Sequence, residues 1–242
     1  MAGNWTPSSF TLMRGGLLYR LERWLGLIRG ESLSIVRRIL FFWCLTWIPI
    51  VILEVTRFNG FRAANPDFSL YFDLRMNVRF LLAAPLMIAS EIPIELRIAR
   101  TLSAFEYREI VKPPGKLAAI LSKANGWISG TPGIVVEAGI MIVIICITSL
   151  GLITQLMGPL REWKNLSPTA DLPPPMMWYL WFALPLFQFI QLRWIWRFIV
   201  WCGVLWKLSR LKLDLFASHP DKVGGMAIIT YAQEGFSLLW IA

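Results

Sequence analysis

The chain has 242 residues, of which 56% are hydrophobic and only 16% are charged, a balance typical of polytopic membrane proteins and unlike that of soluble domains. The net charge of +9 comes from Lys and Arg residues that lie between apolar stretches. This pattern favours anionic lipid headgroups, and not nucleic acid, as the partner. The single histidine excludes a histidine-rich metal centre, and the three cysteines form no CxxC pair. No cofactor, metal site or disulfide framework is therefore predicted.

Residues 1–36 are predicted to form a basic amphipathic segment. Apolar side chains recur at helical spacing at Leu17, Leu18, Leu21, Trp24, Leu25 and Ile28. Arg20, Arg23 and Arg29 lie on other faces, as expected for a helix that lies flat on an anionic membrane surface. An arginine-rich start with few acidic residues is also typical of mitochondrial transit peptides, so an organellar inner membrane is the alternative location.

Residues 37–242 are predicted to form an all-α, polytopic transmembrane bundle. Four apolar stretches are long enough to span a bilayer: 39–55, 78–96, 133–157 and 177–199. Pro85 and Pro93 predict a kink in the second span, because each removes a backbone donor. Residues 226–242 are apolar again and predict a partial fifth span, from which we expect that the intact protein is longer.

The distribution of Lys and Arg predicts the orientation of these spans. Basic residues are denser before the first span, between 97 and 123, and between 207 and 222 than in the other connections. The positive-inside rule then predicts a cytoplasmic N-terminus in the inner membrane of a bacterium. Within the inner connection, one helical face carries Leu117, Ile120, Leu121 and Ala124 beside Lys116 and Lys123. This face predicts a second interfacial helix.

Five ionisable residues fall at one predicted depth, near the cytoplasmic leaflet. They are Glu91, Glu95, Glu137, Arg193 and Arg197. One interpretation is a polar cluster in which the carboxylates pair with the two guanidinium groups and line a substrate path or stabilise a closed state. The other is that Arg193 and Arg197 extend to lipid headgroups while Glu95 pairs locally with Arg97.

The most distinctive polar string is HPDKVGG, at 219–225. It is compatible with an anion or headgroup loop built from His219, Asp221, Lys222, Gly224 and Gly225, or with a structural turn before the next helix. The HPD tripeptide also occurs in soluble J-domains, but there it lies between soluble helices. The string, with the Trp-rich span before it, resembles uncharacterised bacterial polytopic inner-membrane proteins that carry HPD, Lys or Arg, one residue and Gly-Gly before a span. That resemblance implies a bacterial membrane protein and no known activity.

Three functional classes agree with these patterns. The first is a binding or assembly component of the bacterial inner membrane whose partners are membrane lipids, another protein or a second copy of the chain. The second is a transporter or channel subunit with the Glu and Arg residues near the cytoplasmic leaflet, although no matching half-repeats are visible in the sequence. The third is a lipid-acting membrane enzyme. One histidine and no catalytic constellation leave no predicted catalytic residue, so an enzyme is disfavoured.

Overall fold

The computed structural model describes residues 10–28, 34–57, 73–107, 111, 115–149, 174–213 and 226–237. These residues are helical and contain no strand, only an isolated bridge between Val111 and Leu213. The helices are α1 (Gly16–Trp24), α2 (Ile35–Leu45), α3 (Trp47–Arg57), α4 (Leu74–Asn77), α5 (Ala84–Ala89), α6 (Glu91–Tyr107), α7 (Gly115–Ser129), α8 (Thr131–Ser149), α9 (Pro174–Trp178), α10 (Leu184–Ser209) and α11 (Ala227–Glu234). Two π-helical turns, Val78–Ala83 and Tyr179–Ala183, follow α4 and α9.

The chain divides into two compact units, each assembled from separate stretches. The first unit takes Met1–Leu33, Ala89–Glu137 and Arg193–Ile241, and the second takes Ser34–Ile88 and Ala138–Leu192. The domain boundary at 36 stays a prediction. The first 33 residues belong with two later stretches of the chain.

Two helices among the described residues, Ile35–Thr56 and Gly115–Ile147, are long and apolar enough to cross a membrane. The first contains the predicted span 39–55 and the second overlaps the predicted span 133–157 as far as 147, but four full spans are not established. The segments predicted as the second and fourth spans are helical. The second of these segments is interrupted at Ser90, and the hydropathy of the fourth is lowered by two arginines and two glutamines.

The first apolar stretch is broken at Thr46, between α2 and α3. Pro49 has no N–H to donate to the carbonyl of Leu45, four residues earlier. The indole Nε1–H of Trp178 donates to that carbonyl instead, at 3.1 Å. Thr46 Oγ1 donates to the carbonyl of Phe42 at 2.7 Å. The backbone group that the proline leaves unpaired is thus satisfied by a side chain from another helix.

Pro85 is associated with a similar arrangement in the second unit. Just before it, the N–H of Ala84 donates to the carbonyl of Arg79, five residues back, which produces the π-helical turn. The next donor in that register would be Pro85, so the carbonyl of Phe80 has no helical partner. The indole of Trp43 donates to this carbonyl at 3.0 Å. The predicted irregularity of the second span is present as this turn and as a second helix interruption at Ser90, before Pro93.

Phe80 is the centre of the apolar core of the second unit. Its ring is fully buried and lies 6.1 Å from Phe42, 6.0 Å from Tyr179 and 6.0 Å from Phe187, measured between ring centroids. The last two contacts are edge-to-face, the geometry that aromatic quadrupoles favour. Three separate stretches of the chain are joined around this side chain.

The helix α11 packs on α6 within the first unit. Arg97 pairs with Glu234 at 3.5 Å and lies 4.9 Å from the ring centroid of Tyr231. Thr101 Oγ1 donates to the carbonyl of Ile228 at 3.1 Å. Arg97 therefore pairs with α11 and not locally with Glu95. With eight residues, α11 extends only about 12 Å and does not cross a bilayer by itself, and the partial fifth span at 226–242 stays a prediction.

The predicted second interfacial helix corresponds to α7, but its apolar face packs inside the protein. Leu117, Leu121, Ala124 and Ile128 are all buried. The prediction of a lipid-facing surface was therefore wrong for this helix. The same amphipathic pattern serves for packing against protein and for lying on lipid, so the pattern alone does not distinguish the two.

Replacing Trp178 with Phe is expected to lower the free energy of unfolding by about 1 kcal/mol, because the carbonyl of Leu45 loses its donor. The loss should shrink when Pro49 is also replaced by Ala, since the restored N–H can donate to Leu45. Thermal unfolding in detergent measures both effects. Trp181→Phe, at a half-exposed tryptophan, is the matched control. An equal loss with and without Pro49 would contradict the proposed role of Trp178.

A buried charge cluster in the first unit

Three helices of the first unit place the five predicted ionisable residues. Glu91 is the first residue of α6 and Glu95 lies one turn later. Glu137 is in the first half of α8. Arg193 and Arg197 lie one turn apart near the middle of α10 and therefore share a face. We call these five residues the charge cluster.

Arg193 joins two of the carboxylates. Its Nη1 donates to Oε1 of Glu91 at 3.1 Å, and its Nε lies 3.5 Å from Oε1 of Glu137. Arg193 is 2% exposed and both glutamates are equally buried. An arginine so enclosed pairs with these carboxylates and does not extend to lipid headgroups, while a role in a substrate path or a closed state stays a prediction.

Glu137 connects the cluster to the N-terminal segment. Its Oε2 accepts hydrogen bonds from the backbone N–H groups of Leu17 and Leu18, the latter at 3.2 Å. These amides belong to the first turn of α1, where N–H groups have no helical partner and the helix dipole is positive. The carboxylate therefore caps a helix that lies 120 residues away along the chain.

Arg197 holds the residues just before α1. It is 1% exposed, and its guanidinium donates to the carbonyls of Leu12 and Gly15, the second at 2.9 Å. Its Nη2 also lies 4.0 Å from Oε1 of Glu137. Glu95, which is less buried, accepts from the N–H of Met13 at 2.9 Å. The charge cluster thus fixes the backbone of 12–18 from both sides.

Two glycines allow this close approach. Gly16 has a φ of +86°, and a Cβ there would overlap the carboxylate of Glu137. A Cβ on Gly15 would overlap Oγ of Ser129, which itself donates to the carbonyl of Arg14 at 3.1 Å. Only glycine is compatible with both the conformation and the space at position 16.

The charges within the cluster nearly balance. The four fully buried members, Glu91, Glu137, Arg193 and Arg197, carry two charges of each sign. Isolated buried charges cost several kcal/mol each, so mutual pairing and backbone hydrogen bonds are required to keep them ionised. Among the described residues, Nη2 of Arg193 and Nε of Arg197 have no hydrogen-bond partner, so pairing is close but not complete. The arrangement holds a segment in place and contains no nucleophile or metal-ligand set.

The other predicted site lies outside the described residues. His219, Asp221, Lys222, Gly224 and Gly225 all fall in 214–225. Conversely, no periodic pattern in the sequence predicted that the cluster binds the backbone of 12–18. The adjacent pair Gly15 and Gly16, directly before an amphipathic stretch, was the one local indication of a close approach.

Comparisons with protein-family models, curated proteins and solved structures find no match to this chain.

Replacing Glu137 with Gln is expected to lower the free energy of unfolding by about 3 kcal/mol, because both buried arginines lose a carboxylate and α1 loses its anionic cap. Glu234→Gln breaks an exposed ion pair with Arg97 and should cost less than about 1 kcal/mol. Thermal unfolding of the two variants gives the comparison. Equal losses would show that Glu137 contributes no more than a surface residue.

Replacing Gly16 with Ala is expected to release α1, since the new Cβ meets the Glu137 carboxylate in a left-handed backbone conformation. Gly26→Ala is the matched control, because Gly26 has a φ of +70° but no atom lies within 4 Å of the place that its Cβ would take. Hydrogen exchange at the amides of Leu17 and Leu18 should accelerate in the first variant only. If hydrogen exchange at these amides accelerates in both Gly16→Ala and Gly26→Ala, backbone strain and not the overlap with Glu137 explains the change.

Proposed function

We propose that the protein is a binding or assembly component of a bacterial inner membrane, which docks its N-terminal helix α1 on the anionic cytoplasmic leaflet. In this proposal the four predicted stretches cross the bilayer and the N-terminus is cytoplasmic. The charge cluster fixes the start of α1, and the exposed face of α1 makes the lipid contact. The likeness of 219–225 to bacterial inner-membrane proteins agrees with this location.

The exposed apolar face of α1 is the observation that carries the proposal. Trp24 is 81% exposed, and Leu17, Leu21 and Leu25 are also exposed, whereas Glu22 on the same helix is buried. Arg20 and Arg23 are exposed beside this face. A helix that turns its one acidic residue inward and its apolar and basic residues outward has the surface expected at a lipid interface, where basic side chains meet anionic headgroups.

Two further features support a membrane location. Of the most apolar window in each candidate span, only 22% is buried in Ile35–Thr56 and 17% in Gly115–Ile147. A core helix of a soluble protein would be mostly buried. In addition, the three stretches predicted to be cytoplasmic from their basic residues all belong to the first unit.

The test follows the depth of α1 in lipid nanodiscs. With Cys44, Cys146 and Cys202 replaced by Ser, a fluorophore on Leu21→Cys is quenched by nitroxide lipids. We expect strong quenching in discs rich in phosphatidylglycerol and weaker quenching in phosphatidylcholine or at high salt, because salt screens surface charge.

Charge variants supply the control for this measurement. Arg20→Gln combined with Arg23→Gln should reduce the quenching in anionic discs, whereas Arg20→Lys combined with Arg23→Lys keeps the charge and should leave it unchanged. If the extent of quenching is the same in both lipids and is unchanged by the two Gln substitutions, docking of α1 on anionic lipid is refuted.

A transporter or channel subunit is the second candidate, favoured by a local correspondence between two helices. In each, the residue before a proline donates to a carbonyl five residues back, Ala84 to Arg79 and Leu184 to Tyr179. Matched, discontinuous helices are common in transporters built from repeats. Solute or ion flux in proteoliposomes would favour this candidate over the first.

A further inference from the structure

A cleft of about 480 Å³ opens in the second unit and is lined by none of the residues that carry the proposed function. Its lining comes from the start of α4, the π turn that follows it, and the first two turns of α10. The volume lies within the range of about 300–1,000 Å³ that small-molecule sites occupy. Arg75, Arg79, Phe187, Gln188 and Gln191 supply its polar and aromatic surface.

Arg79 is held in a fixed position at this cleft. Its Nη1 donates to the hydroxyl of Tyr179 at 2.5 Å, and its Cζ lies 5.5 Å from the ring centroid of Phe187. Both partners are neutral, so they orient the guanidinium without compensating its charge. The π turn displaces Arg79 from the regular helical register, and π turns occur frequently at functional sites.

The charge at the cleft is net positive. Within the described part of the chain, neither Arg75 nor Arg79 forms an ion pair. The carboxylate of Asp73, the nearest acidic group in sequence, caps α4 by accepting from the N–H of Arg75 at 2.9 Å. Among the described residues, these two guanidinium groups and one carboxylate leave one positive charge without a counter-charge, which an anionic ligand would supply.

Two glutamines add hydrogen-bonding capacity to the same wall. Gln188 and Gln191 lie three residues apart and therefore share a face of α10. Their side-chain amides make no hydrogen bond to any residue that the structure describes. Around these polar groups the lining is apolar, from Val78 and Leu184 among others. The site thus combines anion donors with a hydrophobic wall.

We propose that this cleft binds one anionic phospholipid, with Arg79 and the glutamine amides on the headgroup and the apolar wall along an acyl chain. The phospholipid is favoured over a soluble amphiphile because the rim residues Leu74 and Val78 are exposed apolar side chains, continuous with an apolar helix surface. A ligand that enters from a lipid phase meets this rim first. The cleft contains no residue of α1, and its assignment to a phospholipid rests on the membrane location in the proposed function but not on docking by α1.

Native mass spectrometry of the protein in mild detergent tests the proposal by titration with phosphatidylglycerol, phosphatidylcholine and dodecyl phosphate. We expect one phosphatidylglycerol to bind more tightly than phosphatidylcholine. Arg79→Gln should weaken that binding by about tenfold, as the loss of a charge-assisted hydrogen bond predicts. Arg100→Gln is the matched control, because Arg100 also donates to a tyrosine hydroxyl, that of Tyr231 at 3.0 Å, but outside the cleft.

Gln191→Leu removes one amide at nearly constant volume and should weaken binding by roughly threefold. If Arg79→Gln does not fold, the binding of phosphatidylglycerol to Gln191→Leu is the test of the proposal. Equal binding of the two lipids, or unchanged binding in folded Arg79→Gln and Gln191→Leu, would overturn the proposal. Binding of dodecyl phosphate without binding of phosphatidylglycerol would overturn the phospholipid assignment and assign the cleft to a soluble amphiphile.

Discussion

The carboxylate of Glu137 is the contact on which the first unit depends. Its Oε2 accepts hydrogen bonds from backbone N–H groups at the start of α1. Its Oε1 faces the guanidinium groups of Arg193 and Arg197. A helix N-terminus and two arginines all carry positive potential. In a buried place they would repel one another without carboxylates between them. Glu91 contacts Arg193, but among the described residues Glu137 alone contacts all three, so the position of α1, the face of α10 and the glycine at 16 depend on it.

The second unit meets a different constraint, which is the loss of backbone donors at prolines. Pro49 and Pro85 leave the carbonyls of Leu45 and Phe80 without helical partners, and the indoles of Trp178 and Trp43 bond to them. The 13 tryptophans of the chain therefore include residues that are apolar packing groups and hydrogen-bond donors at once. The π turn beside Pro85 contains Arg79 and lines the cleft. The local change in helical register next to the proline therefore also contributes to the shape of the cleft.

Local sequence patterns predicted the helices and predicted that five charged residues lie close together, because both properties depend on periodicity and chain direction. They did not predict what those charges hold. The hydrogen bonds from α1 to Glu137 join residues about 120 positions apart, so they produce no periodic pattern in the sequence. Gly15 and Gly16 indicate a close approach only once their neighbours in space are known. The error at α7 has a related cause, because an apolar helical face reports burial without reporting whether protein or lipid covers it.

The contact of Glu137 with the start of α1 and the exposed apolar face of α1 both bear on the stability of this short helix. A nine-residue helix is too short to be stable alone, since nucleation is costly and few internal hydrogen bonds follow it. Glu137 fixes the first turn and so supplies the nucleus, while leaving Leu21 and Trp24 uncovered. In the proposed function, a lipid surface would bury the side chains of Leu21 and Trp24, which the described protein leaves exposed.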